Sequence, residues 1–389
     1  MEMMRSFERY NLLLNGQVVR TPLALSAMAG IVDADYALAR ASHVGVAFLG
    51  GFSIDAPTME ASRTMERSGR REFLFGDPVE ELAGQVQRLE GSGLVVGLNL
   101  RGSSPESFAA IASHLGDQAI YEIDAHCRQE PMVEARSGEY LLSHTDLLAE
   151  EIRALKREDV SVSVKIRAGV SPDDRLLARK IWKAGADIIH VDLMDYDYQK
   201  VRQMRNSCPL VLIANNSMNT FDRVRDMFSH GADLVSLARN ADVRTLAGLD
   251  AAIERLTDEQ GWYNAPKQLC RGGDIRALTF CCMPVKNCPL LPMLDRLGLS
   301  REEYLSFKQK AVAGTPLEPG AQTCFGSLAW CCKVSSPCMF RDMTLAQSGL
   351  SRQEYMRQKK QLADKIIQHL FSRDAEPHTC TTRPARDGS

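Results

Sequence analysis

Short, uninterrupted apolar runs recur along the first 255 residues: LALSAM (23–28), VAFLGG (46–51), LVVGLN (94–99), AIYEIDA (119–125), VSVKI (162–166), DIIHVD (187–192), LVLIAN (210–215) and LVSLAR (234–239). Continuous rather than alternating apolarity marks strands covered on both faces. Between most of them lie amphipathic stretches with helical spacing, such as PVEELAGQVQRLEGSG and PDDRLLARKIWKAGA. Eight strand–helix repeats over this length predict an α/β fold, a (β/α)8 TIM barrel occupying residues 1–255. The other candidate, an open doubly wound sheet, would call for a G-x-G-x-x-G after the first strand, and none is there. Ahead of the barrel, YNLLLNGQVVRTP reads as a hairpin turning at Asn15-Gly16 and closing the barrel bottom. Phe52 to Arg71 reads as a long polar loop, a lid or substrate-contacting segment.

The pattern changes after residue 265. Of 11 cysteines, all but Cys127, Cys208 and Cys380 fall between residues 270 and 338, where FCCMPVKNC (280–288) is echoed by WCCKVSSPC (330–338). GLSREEY (298–304) likewise returns as GLSRQEY (349–355), so each copy is a cysteine cluster followed by a helix. Ser300 with Glu303, and Ser351 with Glu354, have the spacing of capping boxes. Buried thiols have no reason to recur as doublets at matched offsets, and disulfides are disfavoured in a reducing compartment. Cys270, Cys281, Cys282, Cys288, Cys324, Cys331, Cys332 and Cys338 are therefore expected to be metal ligands, four to each copy. A contiguous Cys-Cys is awkward for one tetrahedral zinc ion, whereas the separated irons of a [4Fe–4S] cluster accept neighbouring thiolates; two iron–sulfur clusters are favoured and zinc stays open. This gives a mainly helical, cysteine-rich domain over 265–372, followed by a polar, aperiodic tail over 373–389 that is expected to be disordered.

Charge separates the same two regions. Residues 265–389 hold 18 Lys and Arg against 11 Asp and Glu, while the preceding part holds 29 against 38, so a polyanion would meet the C-terminal part first. No stretch resembles a membrane span, and the N-terminus has no signal-peptide pattern; a cytoplasmic location is the expectation.

In such a barrel the chemistry belongs where the strands end. Those ends carry Asn99, Lys165, Arg167, His190, Asn215, Asn216 and Ala238-Arg239-Asn240. Polar groups there face the mouth or are desolvated at a cost on the order of several kcal/mol. Together they suggest an anion site, with the last two loops offering backbone N–H groups to a phosphate. The plain alternative is that Lys165 pairs with Asp124 or Asp192 and only orders the rim.

LSAMAGIVDADYA (25–37), LNLRG (98–102), SVKIRAG (163–169), LVLIANNSM (210–218) and GADLVSLARNA (231–241) resemble, in order, the motifs of the tRNA-dihydrouridine synthases. The resemblance implies a barrel holding flavin mononucleotide (FMN). Ala27, Met28 and Ala29 would lie beside the flavin ring, Asn99 at its pyrimidine edge and Lys165 at its N1 side. His190 matches the histidine of the family's HGRTR, and Asn215, Asn216, Ala238 and Arg239 fall in the phosphate-binding segments. Two departures stand out. After His190 the chain reads VDLMD, without the family's arginines, and strand four reads IDAHCRQEP where the family has IDINMGCP with its proton-donating cysteine. Anchoring on Ile123-Asp124 puts Gln129 at that cysteine and His126 at the asparagine, whereas anchoring on Gly138 puts Cys127 there, beside an imidazole; His126, Cys127 and Gln129 are the catalytic candidates.

The doublets and CFGSLAWCCK resemble the methanogenesis marker domain 9 family of methanogenic archaea, and the chain is identified as a two-domain member. One implied function is an FMN oxidoreductase acting on tRNA or a small molecule, with iron–sulfur centres relaying electrons to or from the flavin and an electron-donor or assembly protein as partner, in a process linked to methanogenesis. The other is a zinc-containing RNA- or protein-binding assembly factor that keeps the barrel as a scaffold. If each cysteine copy holds its own centre, replacing Cys281, Cys282 and Cys288 together removes about half the metal of anaerobically purified protein. Retention of all the metal would return these cysteines to the status of core residues.

Overall fold

A computed structural model describes residues 9–10, 12–208, 210–260, 263, 300–314, 349 and 354 of the chain. Eight parallel strands close into a barrel: β1 (Leu23–Leu25), β2 (Val46–Ser53), β3 (Val95–Arg101), β4 (Ile120–Ala125), β5 (Val162–Arg167), β6 (Ile188–Asp192), β7 (Val211–Asn215) and β8 (Leu234–Leu237). β8 returns to β1 through Val235↔Leu23 and Leu237↔Leu25, so no sheet edge is left unpaired. Each strand falls on one of the apolar runs, although β2 and β3 each continue two residues past theirs, to Ser53 and Arg101.

The intervening helices bury the faces that their periodicity marks. In the helix Thr145–Arg157, Leu148, Ala149, Ile152 and Leu155 turn inward, and in Asp174–Ala184, Leu177, Ala178, Ile181 and Ala184 do so. Asp77, Ser104 and Asp173 cap their helices with side-chain oxygens that accept first-turn N–H groups. The hairpin pairs Leu13 with Val18 and Leu14 with Gln17, and Asn15 and Gly16 take the positive φ angles of the turn, 47° and 69°. Asn15 Nδ2 donates to Asp117 O at 2.7 Å, just before β4 begins, which fixes the hairpin at the bottom of the barrel.

Phe52 to Arg71 is not a loop. Ala56–Arg67 is a helix, begun by a capping box between Asp55 and Thr58. It buries Thr58, Ala61, Ser62 and Met65, a helical stripe whose small polar members disguise it as surface. The helix Arg301–Val312 starts at Ser300 with the expected capping box, Ser300 Oγ accepting from Glu303 N at 3.1 Å. The eight cysteines expected to bind metal, Ser351 and the tail 373–389 lie outside the described residues. No described helix is long and apolar enough to cross a membrane.

One buried group sets a pH dependence on the scaffold. Glu151, in the helix Thr145–Arg157, is 0% exposed, and neither carboxyl oxygen has a hydrogen-bond partner among the described residues. Burial, aided by the charge of Asp55, raises its pKa from 4.5 to about 9. The stability this protonated group allows is fully present below the unfolded value and is lost as pH rises through the folded one. Glu151→Gln is therefore expected to melt above wild type by a margin that widens from about pH 5 to about pH 9 in thermal unfolding. A margin independent of pH would show that the carboxyl is ionised in the fold.

Candidate active site

Side chains at alternate strand positions share a face, so β3 turns Asn99 and Arg101 inward, β4 Glu122 and Asp124, β5 Ser163, Lys165 and Arg167, and β6 His190 and Asp192. They form two tiers. In the lower tier Glu122, 0% exposed, accepts from Asn99 Nδ2 at 2.9 Å and Ser163 Oγ at 2.9 Å, with His190 Nδ1 at 2.8 Å. His190 Nε2 lies 2.7 Å from Ser236 Oγ on β8. Burial drives the His190 pKa down, leaving a neutral ring that donates through Nδ1 and accepts through Nε2. Burial also works to raise the Glu122 pKa, but His190, Lys165 and Asn99 overcome it and hold the carboxylate ionised.

Lys165 stands above this tier, 4% exposed, and its Nζ donates to Ser26 Oγ at 2.8 Å and Ala27 O at 3.3 Å. It forms no ion pair with Asp124 or Asp192, because Arg101 and His126 engage those carboxylates. Arg101 spans Asp124 Oδ2 at 2.9 Å and Glu72 Oε2 at 2.7 Å, and Asp192 Oδ2 lies 2.5 Å from His126 Nε2. Burial works to raise the Asp192 pKa, but the bond from His126 holds it at about 2.

Lys165, Arg101, Asp124, His126 and Asp192 line a cavity of about 690 Å³ at the carboxyl ends of the strands. Its wall includes Ala27, Met28, Ala29, Asn99, Lys165, Asn215, Asn216, Ala238 and Arg239, together with His126, Cys127 and Gln129. His190 is not in the wall; it is 0% exposed in the tier beneath. Asn216 and Ser217 have consecutive positive φ angles of 87° and 58° in the loop after β7, and the exposed Arg239 follows β8. Gln129 precedes the short helix Glu130–Glu134 as its N-cap residue without a capping side-chain bond. The loop that starts there is closed by Gly138, whose φ is +65° and where a Cβ would stand 2.2 Å from Cys127 O.

The strand-end reading missed Glu122 and the Arg101–Glu72 pair. Glu122 could have been flagged as a carboxylate inside an apolar run, whereas nothing local ties Arg101 to a glutamate 29 residues earlier. Glu122→Ala would leave Asn99, Ser163 and His190 without their shared acceptor. It is expected to cost about 3–5 kcal/mol in urea unfolding, while a loss under about 1 kcal/mol would mean that the donors find other partners.

Residues 80–245 match the dihydrouridine synthase family. The uncharacterized protein MJ0115 of Methanocaldococcus jannaschii is 50% identical over 109 residues, 28% of this chain and 70% of that protein. MJ0144 of the same organism is 27% identical over 233 residues, 56% of this chain and 88% of that one. The tRNA-dihydrouridine synthase B of Proteus vulgaris is 27% identical over 162 residues, 38% of this chain and 50% of that enzyme's length. Among solved structures, a FabK variant from Thermotoga maritima is 14% identical with a TM-score of 0.40, covering 61% of this chain and 65% of that one, just under two thirds of its length.

Proposed function

The chain belongs to the family of MJ0115 and carries a dihydrouridine synthase match over residues 80–245, which hold β3 to β8, and from that premise we propose an FMN-dependent oxidoreductase whose flavin occupies the mouth cavity. The observation that carries this reading is Lys165, a nearly buried ammonium bonded only to neutral oxygens at the cavity wall. Glu122 and Asp124 act on this ammonium only through their fields, so a ligand that brings negative charge within hydrogen-bond distance is favoured. The other residues fit the same group. Asn99 spends one amide hydrogen on Glu122 and keeps its carbonyl oxygen and second hydrogen for a planar ring edge. Ala27, Met28 and Ala29 offer a small, largely apolar wall, while Asn215, Asn216, Ala238 and Arg239 gather amides and a cation around a phosphate.

When bound, FMN supplies hydride transfer to or from an organic substrate. The chain's own contribution is to hold the flavin, stabilise negative charge beside Lys165, and bring a proton to the substrate from the loop 126–129. Gln129 can hydrogen-bond there but has no proton to give, which leaves Cys127 and His126. Arg70 and Arg128 also line the mouth and pair with no carboxylate among the described residues, which favours a polyanion such as tRNA over a neutral small molecule. The cysteine-rich region over 265–372 then serves as an electron relay through iron–sulfur centres, in a process linked to methanogenesis. Lys165→Ala is expected to raise the dissociation constant for FMN at least about tenfold, read by flavin fluorescence during anaerobic reconstitution. Wild-type protein that neither retains nor takes up FMN would end the proposal.

A further inference from the structure

We propose that His126, oriented by Asp192, delivers the proton at this site in preference to the adjacent Cys127; this rests on the oxidoreductase reading above. The imidazole is fixed from two sides. Asp124 Oδ1 accepts from His126 N at 3.1 Å and Cys127 N at 3.2 Å, which pins the backbone after β4. Asp192 Oδ2, 2.5 Å from Nε2, holds the ring, and its Oδ1 is itself fixed by Met194 N at 3.0 Å. Arg167 adds a bond from Nη2 to His126 O at 3.2 Å, and its Nε pairs with Glu139 at 2.6 Å. Arg167 Nη2 is also 3.3 Å from His126 Nε2, but both groups carry hydrogens there, so Nε2–H belongs to the Asp192 carboxylate.

That arrangement leaves Nδ1, which has no hydrogen-bond partner among the described residues, on a ring that is 25% exposed in the cavity wall. Cys127 differs on both counts. It is 7% exposed and packs with Ala61, Met65 and Met132, and burial pushes its thiol pKa up. The charged groups facing His126 are Asp124 from β4, Lys165 and Arg167 from β5, Asp192 from β6, and Glu139 beyond the short helix.

Reduction of a polarised carbon–carbon double bond adds a hydride, carrying both electrons, to one carbon and a proton to the other. The hydride comes from reduced flavin, which is thereby oxidised, and the proton comes from Nδ1–H of the doubly protonated ring. His126 is left neutral with its remaining hydrogen on Nε2 against Asp192, and its exposed edge recovers a proton from water. Asp192 is a positioning residue, since it selects the nitrogen that faces the substrate.

The tautomer is directly measurable. Nitrogen-15 NMR of the full chain with labelled histidine, His126 being assigned through His126→Gln, should show hydrogen on Nε2 and a bare Nδ1 in the neutral ring. Asp192→Asn should mix or reverse the two forms while the other histidine signals stay in place. A neutral ring with hydrogen on Nδ1 in wild type, or a tautomer indifferent to Asp192→Asn, overturns the proposal. This measurement needs no flavin, so it decides the point even if FMN fails to bind. With the FMN-loaded full chain, chemically reduced flavin and an unmodified tRNA transcript, His126→Gln should keep its flavin and lower the rate of dihydrouridine formation about 100-fold, with Cys127→Ala losing less. The reverse ranking overturns the proposal, whereas absence of product with wild type removes the tRNA reading and leaves the tautomer to decide.

Discussion

The carboxylate of Glu122 governs the centre of this barrel. A buried charge must be surrounded by donors or neutralised, and Glu122 collects three, from Asn99, Ser163 and His190 on three different strands. That single demand orients the Asn99 amide and sets the His190 tautomer, which in turn fixes Ser236 on β8. Because those donors satisfy Glu122, it forms no short ion pair with Lys165, and the ammonium is left facing the cavity with neutral oxygens around it. A buried ammonium bonded only to neutral oxygens is thus a consequence of how the tier beneath it is satisfied.

Above that tier the mouth divides electrically. From β3 to β6 the strand-end groups are paired, Arg101 with Asp124 and Glu72, His126 with Asp192, Arg167 with Glu139, while Arg128 in the loop after β4 pairs with no carboxylate among the described residues. Buried pairs of this kind add little net stability but hold their members in one geometry, as a reacting face requires. On the β7 and β8 side no acidic residue is in the cavity wall among the described residues, and that side offers Asn215, Asn216, Arg239 and Asn240. A ligand that is anionic at one end and reactive at the other has one favourable orientation across such a mouth.

The strands were legible in the sequence because parallel sheets buried on both faces require continuous apolar runs, and each run became a strand. Most of the cavity wall was legible for a related reason: a polar residue where such a run ends has nowhere to go but the mouth. What stayed hidden depends on distance or disguise. The helix Ala56–Arg67 buries Thr58 and Ser62, whose hydroxyls find Asp55 and Ser53, so its inward stripe reads as polar. The pairing of Lys165 with Asp124 or Asp192 was a fair expectation from proximity, since Asp124 is its register neighbour on β4. It failed because Arg101 and His126 reach those carboxylates first, a competition that spacing along the chain cannot reveal.

The two departures from the dihydrouridine synthase motifs become one when the structure joins them. Asp192 stands in VDLMD, where the resembling motif has arginines, and His126 stands in the strand-four loop, at the motif's asparagine when Ile123-Asp124 is the anchor. In the fold these positions meet at 2.5 Å, on strands two apart in the barrel and bridged by Arg167 on the strand between them. An arginine at 192 beside Arg167 would crowd two like charges together, whereas the carboxylate there is favoured by Arg167 and fixes the imidazole. In this fold the two positions hold an imidazole and a carboxylate against each other, a pairing that neither stretch of sequence carries by itself.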